Sequence, residues 1–438
     1  MDTKEKQILA EMVIDHALKG GAQQVSVNIT ESRSNNIEIR DQKIDNLTES
    51  NRNSLSIILY VDKKYSTHST NRLRKEDIFK FTDEAIAATK FLGEDEFRTL
   101  PDPELYYKGG GADPAILDST IEAIEPKSKI DLARQVHDEA FGKDDRIISV
   151  SSYYSDTIRN RLLVTSNGFS GTNARSDISL SASVALKTDT GRPEDYWSES
   201  AQFFDKLKKE NIGKNALDRV LQKFGMKKIS SGKYTMVVEN RVVPNLLSPF
   251  YNALQGYSIY QKQSFLAGKL DKAVGSKVMT INDDPAIPSG PGSKLFDDEG
   301  LASMKRTILE GGVLRNYYID TYYGKKLKMK PTSGSSSNVI FTLGNRDMAA
   351  MMNSLKKGIV VTGFNGGNCN GSTGDFSYGI EGFYVENGKI VHPVNEMNIS
   401  GNMNDIWFRL AEAGNDIIEG SSFRIPSLLF DNIDFSGI

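Results

Sequence analysis

The chain has 438 residues, which is enough for two domains that each bury a core. Its 54 lysines and arginines nearly balance 57 aspartates and glutamates, and a formal net charge of −3 gives no support to direct binding of nucleic acid. The single cysteine, Cys369, excludes an intrachain disulfide, and no apolar run approaches a membrane span. The charged N-terminus has no apolar leader, so we expect a cytoplasmic protein.

The first half, residues 1–228, alternates between helical and strand-like patterns. Apolar residues at helical spacing predict helices at residues 3–19, 75–91, 128–141 and 201–224. Alternating patterns predict strands at residues 25–30, 36–40, 54–60, 65–70, 147–154, 157–165 and 178–187. The order of helix, antiparallel strands, helix and antiparallel strands predicts an α+β domain and suggests an internal duplication.

Strands and glycine-rich loops dominate the second half, residues 229–438. Strand-like patterns cover residues 233–239, 307–320 and 380–394, the last being a hairpin around Asn387-Gly388. Helical patterns cover residues 240–255, 346–357 and 403–413, and residues 331–338 have the composition of a flexible loop. We therefore expect a β-rich, barrel-like second domain, so that the whole chain belongs to the α+β class.

A run rich in glycine and asparagine precedes the hairpin. It contains Gly366, Gly367, Gly371 and Gly374. Such a density of glycine allows the backbone to turn sharply or to approach another chain closely.

Blocks around this run resemble the TldD/PmbA family, whose members have carried the label modulator of DNA gyrase. The matching blocks are Gly358-Ile359-Val360-Val361-Thr362, Gly366-Gly367, Thr373-Gly374-Asp375-Phe376-Ser377, Gly382-Phe383, Asn387-Gly388-Lys389, Ile399-Ser400-Gly401-Asn402, Phe296-Asp297-Asp298-Glu299-Gly300 and Leu309-Glu310-Gly311-Gly312-Val313-Leu314. The likeness spans most of the chain, is most specific after about residue 230, and lies closest to the PmbA (TldE) branch.

The resemblance raises the question of a metal. TldD-type relatives carry a His-Glu-x3-His motif on a helix, which presents two imidazoles to one zinc ion, and a later cysteine. In this chain the helix at residues 240–255, where the motif would fall, contains no histidine. The chain has four histidines, His16, His68, His137 and His392, and we expect His137 on the solvent side of its helix. We therefore predict no metal ligand and no catalytic residue in this chain, with zinc only in a TldD-type partner.

Two other kinds of site are also disfavoured. Cys369 has no histidine near it in sequence to form a thiolate, and the cysteine of the TldD branch comes later in the chain. The run from Gly366 to Gly374 lacks the lysine that a phosphate-binding loop requires.

The resemblance implies a function in peptide processing. TldD and TldE proteins form a heteromeric protease that takes extended peptides into an internal cavity, and TldE is its non-catalytic partner. An extended peptide is able to add to a strand edge through main-chain hydrogen bonds. We expect the channel or the subunit interface to include Gly366, Gly367, Asn368, Gly374, Asp375 and Phe376. The same residues equally fit a tight structural turn, and the chain as a whole also fits a homodimeric peptide-binding or scaffold protein, or an independent hydrolase.

Overall fold

The computed structural model describes residues 2–189 and 191–438, and its first half forms a six-stranded antiparallel sheet in the order β3-β2-β1-β4-β5-β6. The elements are α1 (Thr3–Lys19), β1 (Gln24–Arg40), β2 (Lys43–Val61), β3 (Lys64–Thr70), α2 (Lys75–Thr89), α3 (Pro126–Asp138), β4 (Ile147–Thr165), β5 (Ser170–Leu186), β6 (Glu194–Ala201) and α4 (Ile212–Leu221). Each half of this sheet thus comes from a run of helix, three strands and helix, with β1 and β4 side by side at the centre.

Alternate residues of the strands bury one face of the sheet beneath the helices, because successive side chains point to opposite faces. Val27 and Ile57 share a cluster with Val13 of α1 and Ile86 of α2. The other half has its own cluster under α3 and α4.

The strands of this sheet are longer than the alternating patterns indicate. β1 and β4 each run unbroken through the polar stretches where the sequence predicts two strands. Residues 31–36 pair with β2 on one side and with β4 on the other. Since the ladder is made by main-chain groups, it continues through polar side chains that give no pattern to read.

The helix predicted at residues 201–224 is wrong in its first half. Residues 194–201 are the edge strand β6, and the helix covers only Ile212–Leu221. Asp118 accepts the backbone N–H of Phe204 at 2.9 Å, and Ser176 donates to the carbonyl of Gln202 at 2.7 Å. Contacts from distant segments therefore fix this turn outside helical geometry.

The second half contains a closed five-stranded barrel and a smaller five-stranded sheet. Its elements are β7 (Gly232–Val238), α5 (Val243–Ala253), α6 (Gly256–Tyr260), β8 (Ile281–Asp284), β9 (Arg306–Glu310), β10 (Val313–Leu314), α7 (Thr321–Leu327), β11 (Asn338–Phe341), α8 (Met348–Asn353), β12 (Lys357–Cys369), β13 (Asp375–Glu386), β14 (Lys389–Asn402), α9 (Met403–Ile406), β15 (Leu410–Ala413), β16 (Phe423–Arg424) and β17 (Leu428–Ser436). The barrel order is β14-β13-β12-β7-β17, and it closes because β17 pairs with both β7 and β14. The expectation of an α+β chain with a barrel-like second half is confirmed.

Two sequence-based expectations for the second half need correction. In the helix predicted at residues 403–413, the α-helix ends at Ile406, a 3-10 turn follows at Trp407–Arg409, and residues 410–413 form β15 on the edge of β17. The loop at residues 331–337 is not loose: Arg306 donates to the carbonyls of Ser333 and Ser335 at 3.1 and 2.9 Å. Composition alone does not reveal a partner that lies elsewhere in the chain.

No helix in the described part of the chain has the length and apolarity needed to cross a membrane. The division into domains at residues 228 and 229 stays a prediction.

Candidate functional site

The helix that would carry a metal motif, α5, presents apolar side chains to the core. Leu246, Leu247 and Phe250 are buried, and the helix contains Pro249. The hydroxyl of Tyr251 lies 3.0 Å from that of Ser336. Because the helix carries no imidazole, its residues do not fit a zinc ion of the His-Glu-x3-His kind.

The four histidines lie on four different elements, α1, β3, α3 and β14. His16 bonds to Asp83 at 2.8 Å. His137 is fully buried, and its Nε2 accepts the backbone N–H of Gln42 at 3.2 Å, so the solvent-side expectation is wrong. Among the described residues, no group of three or more His, Cys, Asp or Glu side chains is placed to hold a metal ion.

The predicted channel residues come together at the end of the β12–β13 hairpin. Gly366, Gly367 and Asn368 belong to β12 and are exposed, whereas Gly374 follows the turn and is buried. Gly367 has φ +106°, and a Cβ there would lie 2.1 Å from the carbonyl oxygen of Ser377. Glycine is therefore required at this position by the approach of β13.

The other two predicted residues anchor the hairpin end. Asp375 accepts hydrogen bonds from Thr373 and Asn402, each at 2.7 Å, and these bonds lower the pKa of its carboxyl group. Phe376 is buried and stacks on Tyr378 with ring centroids 5.5 Å apart. Within the predicted set, residues 366–368 and Asp375 are exposed and are thus the part open to a ligand or partner.

Cys369 lies beside this segment. Burial, followed by the charge of Asp375, raises the pKa of its thiol. The geometry therefore disfavours a thiolate at neutral pH.

A cleft that the sequence did not predict lies between β6 and α4 of the first half and β12 and β13 of the second. Its cavity is about 510 Å³ in volume, and we call it the edge cleft. Arg219 bonds to Glu239 at 2.7 Å, and Lys223 bonds to Glu381 at 2.8 Å, so ion pairs cross from one half to the other. Arg219 lies in the last turn of α4 and Lys223 just after it, and this spacing of four residues is a sequence signal for two cations on one side of the cleft.

The free edge of β6 forms one side of the edge cleft. Glu194, Asp195 and Tyr196 line the cavity. The carbonyl of Glu194 accepts from Lys223 at 2.9 Å, and the N–H of Tyr196 donates to the Asp195 carboxylate at 2.7 Å. These main-chain groups point away from β5, and in this structure they form hydrogen bonds with side chains.

Family models match three segments of the chain. They describe domain 1, the central domain and the C-terminal domain of PmbA/TldA metallopeptidases, and they cover residues 25–89, 119–224 and 231–437 respectively.

Similar proteins cover nearly the whole chain. A solved structure from Bacteroides thetaiotaomicron, which carries the provisional label modulator of DNA gyrase, has a TM-score of 0.98 and 44% identity, and the match covers 100% of both chains. The metalloprotease PmbA homolog of Haemophilus influenzae is 29% identical over an aligned length of 449 positions, gaps included, and the match covers 99% of this chain and 96% of the relative. TldE from Thermococcus kodakarensis, at 18% identity, has the same fold, with a TM-score of 0.87 over 98% of this chain and 100% of that one.

Proposed function

The chain belongs to the PmbA/TldD family of metallopeptidases, and from this premise we propose that it is the non-catalytic, PmbA/TldE-like partner of a TldD-type zinc peptidase. The observation that carries the proposal is the composition of α5. The helix that would hold the zinc ligands has Leu246, Leu247 and Phe250 in the core and no histidine at any position. Hydrolysis then depends on zinc in the partner subunit.

Extended or unfolded peptides are the proposed substrates of the assembly. The edge strand β6 supports this, because its outward main-chain groups, which side chains occupy in this structure, are of the kind to which an added strand would bond. The exposed main chain at residues 366–368, close to Asn365 in the wall of the edge cleft, supports a channel or subunit interface at the hairpin end. We place the assembly in the cytoplasm, which agrees with the single cysteine.

The first test is metal content together with activity. The chain is purified alone, with a paralogue from the same genome that carries His-Glu-x3-His, and with that paralogue after its motif glutamate is replaced by glutamine. We expect zinc only in preparations that contain the paralogue. We expect cleavage of an unfolded protein such as reduced casein only by the chain mixed with the unaltered paralogue. Stoichiometric zinc on the chain alone, or cleavage by the chain alone, would contradict the proposal.

The second candidate is a homodimeric peptide-binding protein that needs no paralogue. The edge cleft favours it, since β6 and β12 of one chain already line this cavity. Failure to co-purify with the paralogue, combined with saturable binding of an extended peptide by the chain alone, would support this second candidate over the first.

A further inference from the structure

A second cavity, of about 340 Å³, lies between the first-half sheet and loops of the second half. We call it the junction cavity. Its lining combines three tyrosines, one arginine and several carboxylates, including Tyr60, Tyr65, Arg98, Glu299, Asp320 and Tyr322. The exposed residue Asp298 also lines it, so the cavity has a rim open to solvent. It is separate from the edge cleft and from the β12–β13 hairpin.

Arg98 is the cation of this cavity. Its guanidinium lies over the ring of Tyr322, 3.4 Å from the centroid, and 4.4 Å from the centroid of the Tyr65 ring. Across residues 2–189 and 191–438, no carboxylate oxygen lies within 4.0 Å of it, and its side chain donates no hydrogen bond. Stacking uses the faces of a guanidinium and leaves its N–H edge available, which is the edge that binds a carboxylate through two bonds.

Two carboxylates of the lining each use only one oxygen. Glu299 Oε2 accepts the backbone N–H and the hydroxyl of Thr321 at 2.9 and 3.0 Å. Asp320 Oδ1 accepts the N–H of Tyr323 at 2.6 Å. In the described part of the chain, the second oxygen of each carboxylate has no hydrogen-bond donor. Burial raises the pKa of both groups, which means that a cationic ligand group would offset the cost of their charge.

We infer that the junction cavity binds a small zwitterion, a free amino acid or a dipeptide, with its carboxylate on Arg98 and its ammonium group on Glu299 and Asp320. A simple anion would bind Arg98 but would be repelled by the two carboxylates. A simple cation would bind the carboxylates but would be repelled by Arg98. A ligand with both charges satisfies both walls, while the tyrosine rings cover its apolar part. The volume lies within the range of small-molecule sites, roughly 300–1,000 Å³. The inference adds a site to the chain and does not depend on the proposed peptidase partner.

The test is calorimetric titration of the full chain with glycyl-L-leucine and with L-leucine near neutral pH. N-acetyl-glycyl-leucine and glycyl-leucinamide are the matched probes, because each lacks one of the two charges. We expect saturable binding of at least one zwitterion, and a loss of about tenfold or more in affinity for each blocked dipeptide. Comparison of the two zwitterions identifies which of them the cavity takes.

Variants locate the binding. Arg98→Gln should lower the affinity for the zwitterion at least as much as amidation of the ligand carboxylate does. Glu299→Gln should lower this affinity as much as N-acetylation of the ligand does. The control Arg52→Gln changes an arginine on the exposed part of β2, where it bonds to Ser50, and should leave affinity unchanged. Melting curves show that each variant is folded. Equal affinity for blocked and free dipeptides, the same loss in Arg52→Gln, or no saturable binding up to about 10 mM would each overturn the inference.

Discussion

Glu299 is a buried carboxyl group whose surroundings oppose its ionisation near neutral pH. Burial raises its pKa to about 7, and the charges of Asp297 and Asp320 add to this effect. Lys325 is a nearby cation of Glu299, Arg98 acts on the neighbouring Asp320, and the hydrogen bonds from Thr321 lower the pKa of Glu299. The folded chain therefore holds a proton here that the unfolded chain, with an ordinary carboxyl, releases at lower pH.

This difference gives the sign of a pH effect. Between about pH 4.5 and pH 7 the native state binds the proton and the unfolded state does not, so the group lowers stability as pH rises. Glu299→Gln removes the charge. The free energy of unfolding of this variant, relative to that of the parent chain, should therefore increase by about 1–3 kcal/mol from pH 4.5 to pH 8. Guanidinium denaturation at the two pH values measures it. The exposed control Glu104→Gln should show no such gain, and a flat difference for Glu299→Gln would refute the assignment.

The burial of His137 is not indicated by its neighbours in sequence. Its position beside Asp138 and Glu139 suggests a solvent-facing side chain. Adjacent residues of a helix, however, point in directions about 100° apart, and His137 turns toward the sheet while Asp138 stays exposed. The ring then stacks on Phe141 and accepts the N–H of Gln42 in the turn after β1, a partner that only the fold supplies.

Among the elements, the β12–β13 hairpin contains glycines at which a side chain would meet a facing carbonyl group, and Gly367 is one of them. Gly367→Ala places a methyl group against the Ser377 carbonyl at a positive φ, and should destabilise the chain by about 2–4 kcal/mol. Gly366→Ala is the matched control, since φ is +72° and nothing lies within 4 Å of its added Cβ. It should cost only about 1 kcal/mol. Equal midpoints for the two variants in urea denaturation would disprove this account of the hairpin.

The serine-rich loop at residues 331–337 gives a second element-scale prediction. Lys294 donates to the Ser335 hydroxyl and the Ser336 carbonyl, both at 2.8 Å. Lys294→Met removes both bonds, so the loop's amides should exchange with deuterium about tenfold faster or more. Lys305→Met, an exposed lysine paired with Asp284, is the control and should leave that exchange unchanged. Unaltered exchange in Lys294→Met would mean that the remaining partners of the loop, such as Arg306 and Asp283, hold it without Lys294.

Local sequence predicted these elements only where local chemistry decides them. The Asn387-Gly388 turn is correct, because both residues take the positive φ that a two-residue hairpin needs. The strand β6 was missed, since its residues become a strand through pairing with β5. The composition shows that the hairpin end is rich in glycine, but which glycines face a neighbouring carbonyl depends on strand register, and register is not visible in composition.

At the scale of the whole molecule, the two halves are joined by charged side chains distant in sequence. Arg219 of α4 bonds to both oxygens of Glu239, at 2.7 and 3.0 Å, and also lies 3.4 Å from Asp195. Arg219→Met leaves the largely buried carboxylate of Glu239 without its ion-pair partner, whereas Asp195 keeps Lys223 at 3.3 Å, and the change should cost about 3–5 kcal/mol. Lys214→Met breaks an exposed pair with Asp218 on the same helix and should cost less than about 0.5 kcal/mol. Similar losses of unfolding free energy in both variants, measured by denaturation, would argue against a structural role for the Arg219 ion pair between the two halves.

The family resemblance predicted the overall architecture, whereas the cavities between the halves were beyond its reach. Arg98 and Tyr322 meet across more than two hundred residues, and neither belongs to a motif. A site that forms where two folded parts meet draws its residues from distant segments, so the sequence contains no motif of fixed spacing that would predict it.

The position of β17 in the barrel has a consequence for how the chain folds. This strand lies between β7 and β14, and about 190 residues separate it from β7 along the chain. Until β17 arrives, β7 and β14 keep open edges that invite mispairing with other nascent chains. We therefore expect slow refolding, with a late, concentration-sensitive phase that a chaperone would suppress.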